Sequence, residues 1–222
     1  MKRSKIIKDF INSNTSTEIV LKHLRVLLND IGNKTLIDWV TNELMGYRNN
    51  ISSLPDYRKL KGVLKANCIV GFTTYSNYLL PLSHLDQETI DLLLSVNLCQ
   101  SISTLENIAS NDNPISKHIH SEWFPIIQKG CNANIISAHV CVDITYIRDI
   151  LSTVNNKILE ILLLLENEFG NLDNLNINIS TKEPDELKNI IKNLNLFIYD
   201  TSINIGDNNN FKSSNLITNK KA

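Results

Sequence analysis

Apolar residues recur along most of this chain at intervals of three and four, the period of a helix with one buried face. From Ser16 to Ile31, Val20, Leu24, Leu27, Leu28 and Ile31 share a side, and Gly32-Asn33 ends the run. Thr15 with Glu18 fits a capping box there, each side chain answering a free amide. A second helix follows at once. Thr35 with Asp38 caps it, Leu36, Trp39, Val40 and Leu44 form its stripe, and Gly46 stands at its end. So short a link predicts an antiparallel helical hairpin. Asp86 to Val96 predicts another helix, with Ile90, Leu93 and Leu94 inward, and Ile115 to Gln128 a short one interrupted by Pro125.

The longest periodic stretch runs from Tyr146 to Phe169. Ile147, Ile150, Leu151, Val154, Ile158, Ile161, Leu162, Leu165 and Phe169 keep one face, which makes this helix the expected spine of the core. Glu183-Pro184-Asp185-Glu186 opens a last helix, with proline in its first turn and acids near the positive end of its dipole.

Elsewhere the period falls to two. Ala66, Cys68, Val70 and Phe72 alternate with their neighbours between Gly62 and Leu80, predicting one or two strands. Ile135 to Val142 predicts a strand, and Leu175, Ile177 and Ile179 a short one. Phe197, Tyr199, Ile203 and Ile205 suggest a strand, followed by a turn at Gly206–Asn210 and a further short strand at Asn215-Leu216-Ile217. Residues 51–57 and 111–114 read as loops, and 98–113 have no clear period. The fold expected is α+β and predominantly α-helical: a helical bundle with a small β element and a β-like C-terminal tail. Its divisions are an extension over 1–14, a domain over 15–200 and a polar, β-prone tail over 201–222.

Composition narrows the class without changing the fold. A chain of 222 residues, 42% apolar and 20% charged, suits one domain with an appendage. A net charge of -1 argues against a dominant nucleic-acid surface, since phosphate binding leans on clustered Lys and Arg. The 31 asparagines read as the drift of an AT-rich genome. The basic start, Met1 to Lys8, has no long apolar stretch behind it, so it does not read as a secretory leader. The most apolar run, Ile158 to Leu165, is broken by Glu160 and falls short of the roughly 20 residues of a membrane span. Cys68, Cys99, Cys131 and Cys141 are widely spaced and read as reduced thiols, which points to a cytoplasmic protein without a membrane partner.

Candidate chemistry is sparse. His118-Ile119-His120 would place both imidazoles on one side of a strand, where His139 or Asp143 could complete a metal site; the bland alternative is a polar surface beside a loop. Cys131, His139 and Cys141 match no common zinc spacing. With seven glycines, the chain has neither a phosphate-binding loop nor a dinucleotide fingerprint, and it lacks a nucleophile elbow. No catalytic residue and no cofactor is therefore assigned. Tyr57-Arg58-Lys59-Leu60-Lys61 is the densest cationic run, suited either to an anion or to plain solvation.

Two stretches carry a resemblance. One is Leu36-Ile-Asp-Trp39-Val-Thr-Asn-Glu43-Leu-Met-Gly46-Tyr47, followed by Leu54-Pro-Asp-Tyr57-Arg58-Lys-Leu-Lys-Gly62; the other is Ile150 to Gly170, where Asn155 stands at a position expected to be arginine. Together they resemble the AbiTii-like domain of bacterial abortive-infection systems, over roughly residues 15–200. The resemblance implies antiphage defence and brings no catalytic residues with it. Trp39, Glu43, Tyr47, Tyr57 and Arg58 are its sharpest positions. They make physical sense as anchors, with Glu43 paired to Arg58. The expected role is a sensor, adaptor or toxin working through protein contacts and self-association, or through a defence partner. The alternatives are a metal-dependent nuclease or nucleotide-directed enzyme using His118 and His120, and a nucleic-acid-binding module.

Overall fold

Helices and strands interleave along the chain in a computed structural model that describes residues 3–112 and 114–199. The first three helices are α1 (Lys5–Ile11), α2 (Thr17–Ile31) and α3 (Lys34–Met45). Both predicted caps shift. Ser16 Oγ accepts the Ile19 amide at 3.4 Å to start α2, and Asn33 Oδ1 accepts the Leu36 amide at 3.2 Å to start α3. A cap needs extended backbone, which Ser16 and Asn33 have, whereas Thr35 already lies inside the helix. Gly32, at φ +72°, closes α2, and α3 packs back against it.

The sheet is larger than the sequence suggested. Strands β1 (Lys59–Lys61), β2 (Val63–Val70) and β3 (Thr73–Leu79) are followed by α4 (Gln87–Leu94), β4 (Ser95–Asn97) and α5 (Ile102–Ser110). Then come β5 (Ile115–Ile119), α6 (Phe124–Gln128) and β6 (Ala133–Val142). Four strands form an antiparallel sheet in the order β3-β2-β6-β5, and β1 pairs separately with β4. The expectation of a helical bundle with a small β element is thus overturned: among the described residues, eight α-helices share the fold with six strands in two sheets.

The physical reason is local. Ile115–Ile119 read as helix because Lys117 interrupts its apolar face, yet Lys117 turns inward and its ammonium donates to the carbonyls of Leu93 at 2.8 Å and Ser95 at 2.5 Å. Strands β1 and β4 span three residues each, too few to show a period. Phe72, placed in the apolar alternation, is instead bare at the tip of the β2–β3 hairpin.

Asn67 bonds to both strands that flank β2. Its amide nitrogen donates to Ser137 Oγ of β6 at 3.0 Å, and its Oδ1 accepts the Asn77 amide of β3 at 3.1 Å. The register slips beside Asn67 on both flanking strands, so one residue holds two bulges. Leu64, Ala66 and Cys68 of β2, with Ala138, Val140 and Val142 of β6, form the buried face.

That face joins the helices packed around α7 (Ile144–Phe169). Asp143 caps α7 by accepting the Thr145 amide at 2.9 Å, and Ile147, Ile150, Val154, Ile158, Ile161, Leu162 and Leu165 are buried as the periodicity predicts. Asn155 accepts the Thr17 hydroxyl at 3.0 Å. Predicted strand 175–179 does not form: Ile177 is buried, its amide donates to Asp30 at 2.9 Å, and a 3₁₀ turn follows at Ile179–Thr181. Phe197 and Tyr199 end α8 (Pro184–Tyr199), whose buried stripe is Ile190, Leu194 and Ile198. The strands expected beyond residue 200 lie outside the described residues.

Residues before α2 are tied to the far end of α7. The Ser4 hydroxyl and amide both donate to Glu166 Oε1 at 2.6 Å, while Ser4 Oγ accepts the Leu172 amide at 2.9 Å. Arg3 pairs with the other Glu166 oxygen, and Asp173 accepts the Lys5 amide at 2.6 Å. Burial of Ile6 and Ile7 seals α1 against the core. No described helix is long and apolar enough to cross a membrane.

Candidate functional site

The structure gathers Trp39, Glu43, Tyr47, Tyr57 and Arg58 into one cluster. Trp39 and Glu43 are four residues apart on α3 and so share a face. Gly46 then turns the chain at φ +85° and ψ 165°, against the backbone of 99–101; a Cβ there would meet the Cys99 carbonyl at 2.5 Å. This approach lets the Tyr47 amide donate to Cys99 at 2.8 Å and swings its ring back toward Glu43. Tyr57 and Arg58 arrive on the 3₁₀ turn Asp56–Arg58, which Pro55 introduces.

Glu43 is the hub. Its Oε1 accepts the Tyr47 hydroxyl at 2.8 Å, the Tyr57 hydroxyl at 2.6 Å and Arg58 Nε at 3.3 Å, and its Oε2 accepts Arg58 Nη2. A carboxylate offers about four acceptor positions, and Glu43 takes part in four hydrogen bonds, three of them through Oε1. Arg58 Nη1 donates to the carbonyls of Leu98 at 3.0 Å and Gln100 at 2.8 Å. The guanidinium also lies 5.0 Å from the centre of the Tyr47 ring. Trp39 Nε1 donates to the Tyr57 hydroxyl at 3.1 Å, and the Lys157 ammonium sits 5.8 Å from the Tyr57 ring centre. Both side chains of the ion pair are 0% exposed.

Electrostatics keep both phenols protonated and the guanidinium charged. Burial, reinforced by the Glu43 carboxylate, pushes the Tyr47 and Tyr57 phenols well above their usual range, so both remain donors. Burial opposes the Arg58 charge, but Glu43 beside it more than offsets this and raises the guanidinium above its ordinary value. The cluster joins α3, the 56–58 turn and the backbone of 98–100 that follows β4. Trp39 and Tyr47 also line a hollow of about 160 Å³, together with Asp38, Asn42, and Ile198 and Tyr199 of α8.

The other candidates are not brought together in this way. His118 lies opposite His139 across the β5–β6 pair, and the His118 and His120 rings are 6.4 Å apart, both exposed. Asp143 is engaged as the α7 cap. Among the described residues, no group of three or more His, Cys, Asp or Glu side chains is placed to hold a metal ion. Cys68 is buried, which raises its thiol above the usual range, with Cys131 contributing. In the cationic run, Arg58 is paired internally, Lys59 pairs with Asp56 at 2.8 Å and Lys61 with Asp91 at 2.8 Å. Each positive charge of that run has a carboxylate partner.

Sequence reasoning did not find the Leu98 and Gln100 carbonyls, because any residue supplies a carbonyl. It also missed Lys157, whose ammonium donates to Phe197 and Ile198 at 2.7 and 3.0 Å and so caps α8 beside Tyr57. The model of the AbiTii family matches residues 4–191. Neither a curated protein nor a solved structure matches the chain.

Proposed function

We propose, from the premise that this chain belongs to the AbiTii family of abortive infection, that it serves antiphage defence through protein contacts, as sensor, adaptor or toxin. The observation that carries the contact reading is that the cluster's polar groups are engaged inward, with one another and with neighbouring backbone. The five sharpest residues of the family pattern bond to one another, to neighbouring backbone or to a neighbouring ring. Their role is to hold α3, the 56–58 turn and residues 98–100 in one arrangement, which presents a defined surface to a partner.

The test is plaque formation by a panel of phages on cells with and without the gene in its native neighbourhood. Protection accompanied by early death or growth arrest of infected cells is the expected result. A broad panel that plates equally well on both strains overturns the defence role for this chain. The contact reading is tested separately, by recovering cross-linked proteins from infected cells; protection with no protein cross-linked to the chain would count against it.

A further inference from the structure

The two edges of the four-stranded sheet differ. On one side, β5 is short, follows Pro114 and turns Lys117 inward, all devices that discourage a foreign strand from adding on. On the other, all seven residues of β3, Thr73-Thr74-Tyr75-Ser76-Asn77-Tyr78-Leu79, are exposed and none is charged. The uncharged stretch runs from Ala66 to Leu85, if His84 is taken as neutral. Phe72, Tyr75, Tyr78 and Leu79 put exposed apolar surface along this one margin.

Backbone geometry specifies what fits there. Gly71, at φ +62°, and Phe72 close the hairpin as a two-residue turn between Val70 and Thr73. Hydrogen-bonded pairs alternate from the turn, so Thr74 directs its amide and carbonyl away from β2, toward the open side. Open amides and carbonyls at strand spacing are answered by another strand. The bulge at Asn77 limits regular pairing to the segment before it.

We propose that β3 is a homodimer interface. Two copies join edge to edge, antiparallel about a two-fold axis through the Thr74 pair, into one eight-stranded sheet. A second copy fits because the same patch must face itself in such an interface, and β3 brings no like charge against its twin. The net charge of -1 adds little repulsion between whole molecules. This deepens the contact reading above and rests on it for biological meaning only.

Light scattering of the purified full chain tests the interface, because it reads mass and not protection. The expected mass is twice 25.2 kDa for the unaltered protein. Thr74→Lys and Thr74→Pro should each halve it, with helical circular dichroism unchanged; the two variants guard against a failure of one to fold. Ser116→Lys, on β5, should leave the mass doubled. A monomeric unaltered protein at micromolar concentration overturns the proposal. So does a doubled mass that survives both Thr74 variants, or one abolished by truncation after Asp200 while the Thr74 variants retain it.

Discussion

Glu43 and Arg58 meet in a buried ion pair, 15 residues apart in sequence, with neither side chain reaching solvent. Desolvating two charges is costly, and the pair is supported by further hydrogen bonds from two phenols to Glu43 and from Arg58 to two carbonyls. Removing one member leaves the other charged and unanswered.

Glu43→Gln should therefore destabilise by about 3–5 kcal/mol, as breaking one side of a buried pair does. In a chain of this size that lowers the melting temperature by roughly 10 °C. Thermal unfolding followed by circular dichroism checks it; a shift of a degree or less would show that the pair contributes little.

Tyr57→Phe removes the hydroxyl that accepts from Trp39 and donates to Glu43. It leaves the indole N–H without that acceptor, at a cost of about 1–3 kcal/mol. Urea unfolding should show a lower midpoint at unchanged slope.

Gly46→Ala and Gly32→Ala should separate. Both glycines have positive φ, but nothing lies near a Cβ on Gly32, whereas one on Gly46 meets the Cys99 carbonyl. Gly46 also occupies a backbone region that is essentially closed to other residues. Gly32→Ala should cost about 1–2 kcal/mol, and Gly46→Ala clearly more; equal melting temperatures would refute the difference.

Acid should loosen α1 first. Burial tends to raise the Glu166 carboxyl, but the Ser4 hydroxyl and amide, with Arg3, outweigh it and hold the group below its ordinary value. A depressed carboxylate contributes stability above its unfolded value, about 4.3, and that contribution is lost as pH falls through the lower folded value. Hydrogen exchange at Lys8, whose amide donates to the Ser4 carbonyl, should accelerate relative to the α7 core below about pH 4. Glu166→Gln should show weak protection of α1 already at neutral pH, and little further change in acid.

The sequence made the helices legible where burial is one-sided. Val20, Leu24, Leu27 and Leu28 in α2, and the long stripe of α7, are where the period put them. Caps were misread by one or two positions because Thr15, Ser16, Asn33 and Thr35 are all competent and only backbone angles choose among them. The sheet was underestimated because β2 pairs with β6 across some 70 residues, which no local period records. Strand β5 was concealed by its inward lysine, and the end of α8 by an accidental alternation of Phe197 and Tyr199 around Ile198. The five cluster residues were named from the family pattern and a plausible Glu43–Arg58 pairing. Their hydrogen-bond geometry needed the positions of 98–100, where the sequence has no clear period.

The clasp between Ser4 and the region of Glu166 and Leu172 also sets an order of events on the ribosome. Ser4 and Leu172 are separated by 168 positions. At about 5–20 residues per second, Ser4 emerges on the order of ten to thirty seconds before its partner exists. Through that interval α1 has no acceptor for its first amides and no α7 on which to lay Ile6 and Ile7. Residues 3–11 therefore complete their contacts only after most of the chain has been made, and a nascent chain halted before Glu166 leaves the Ser4 hydroxyl and amide without that acceptor.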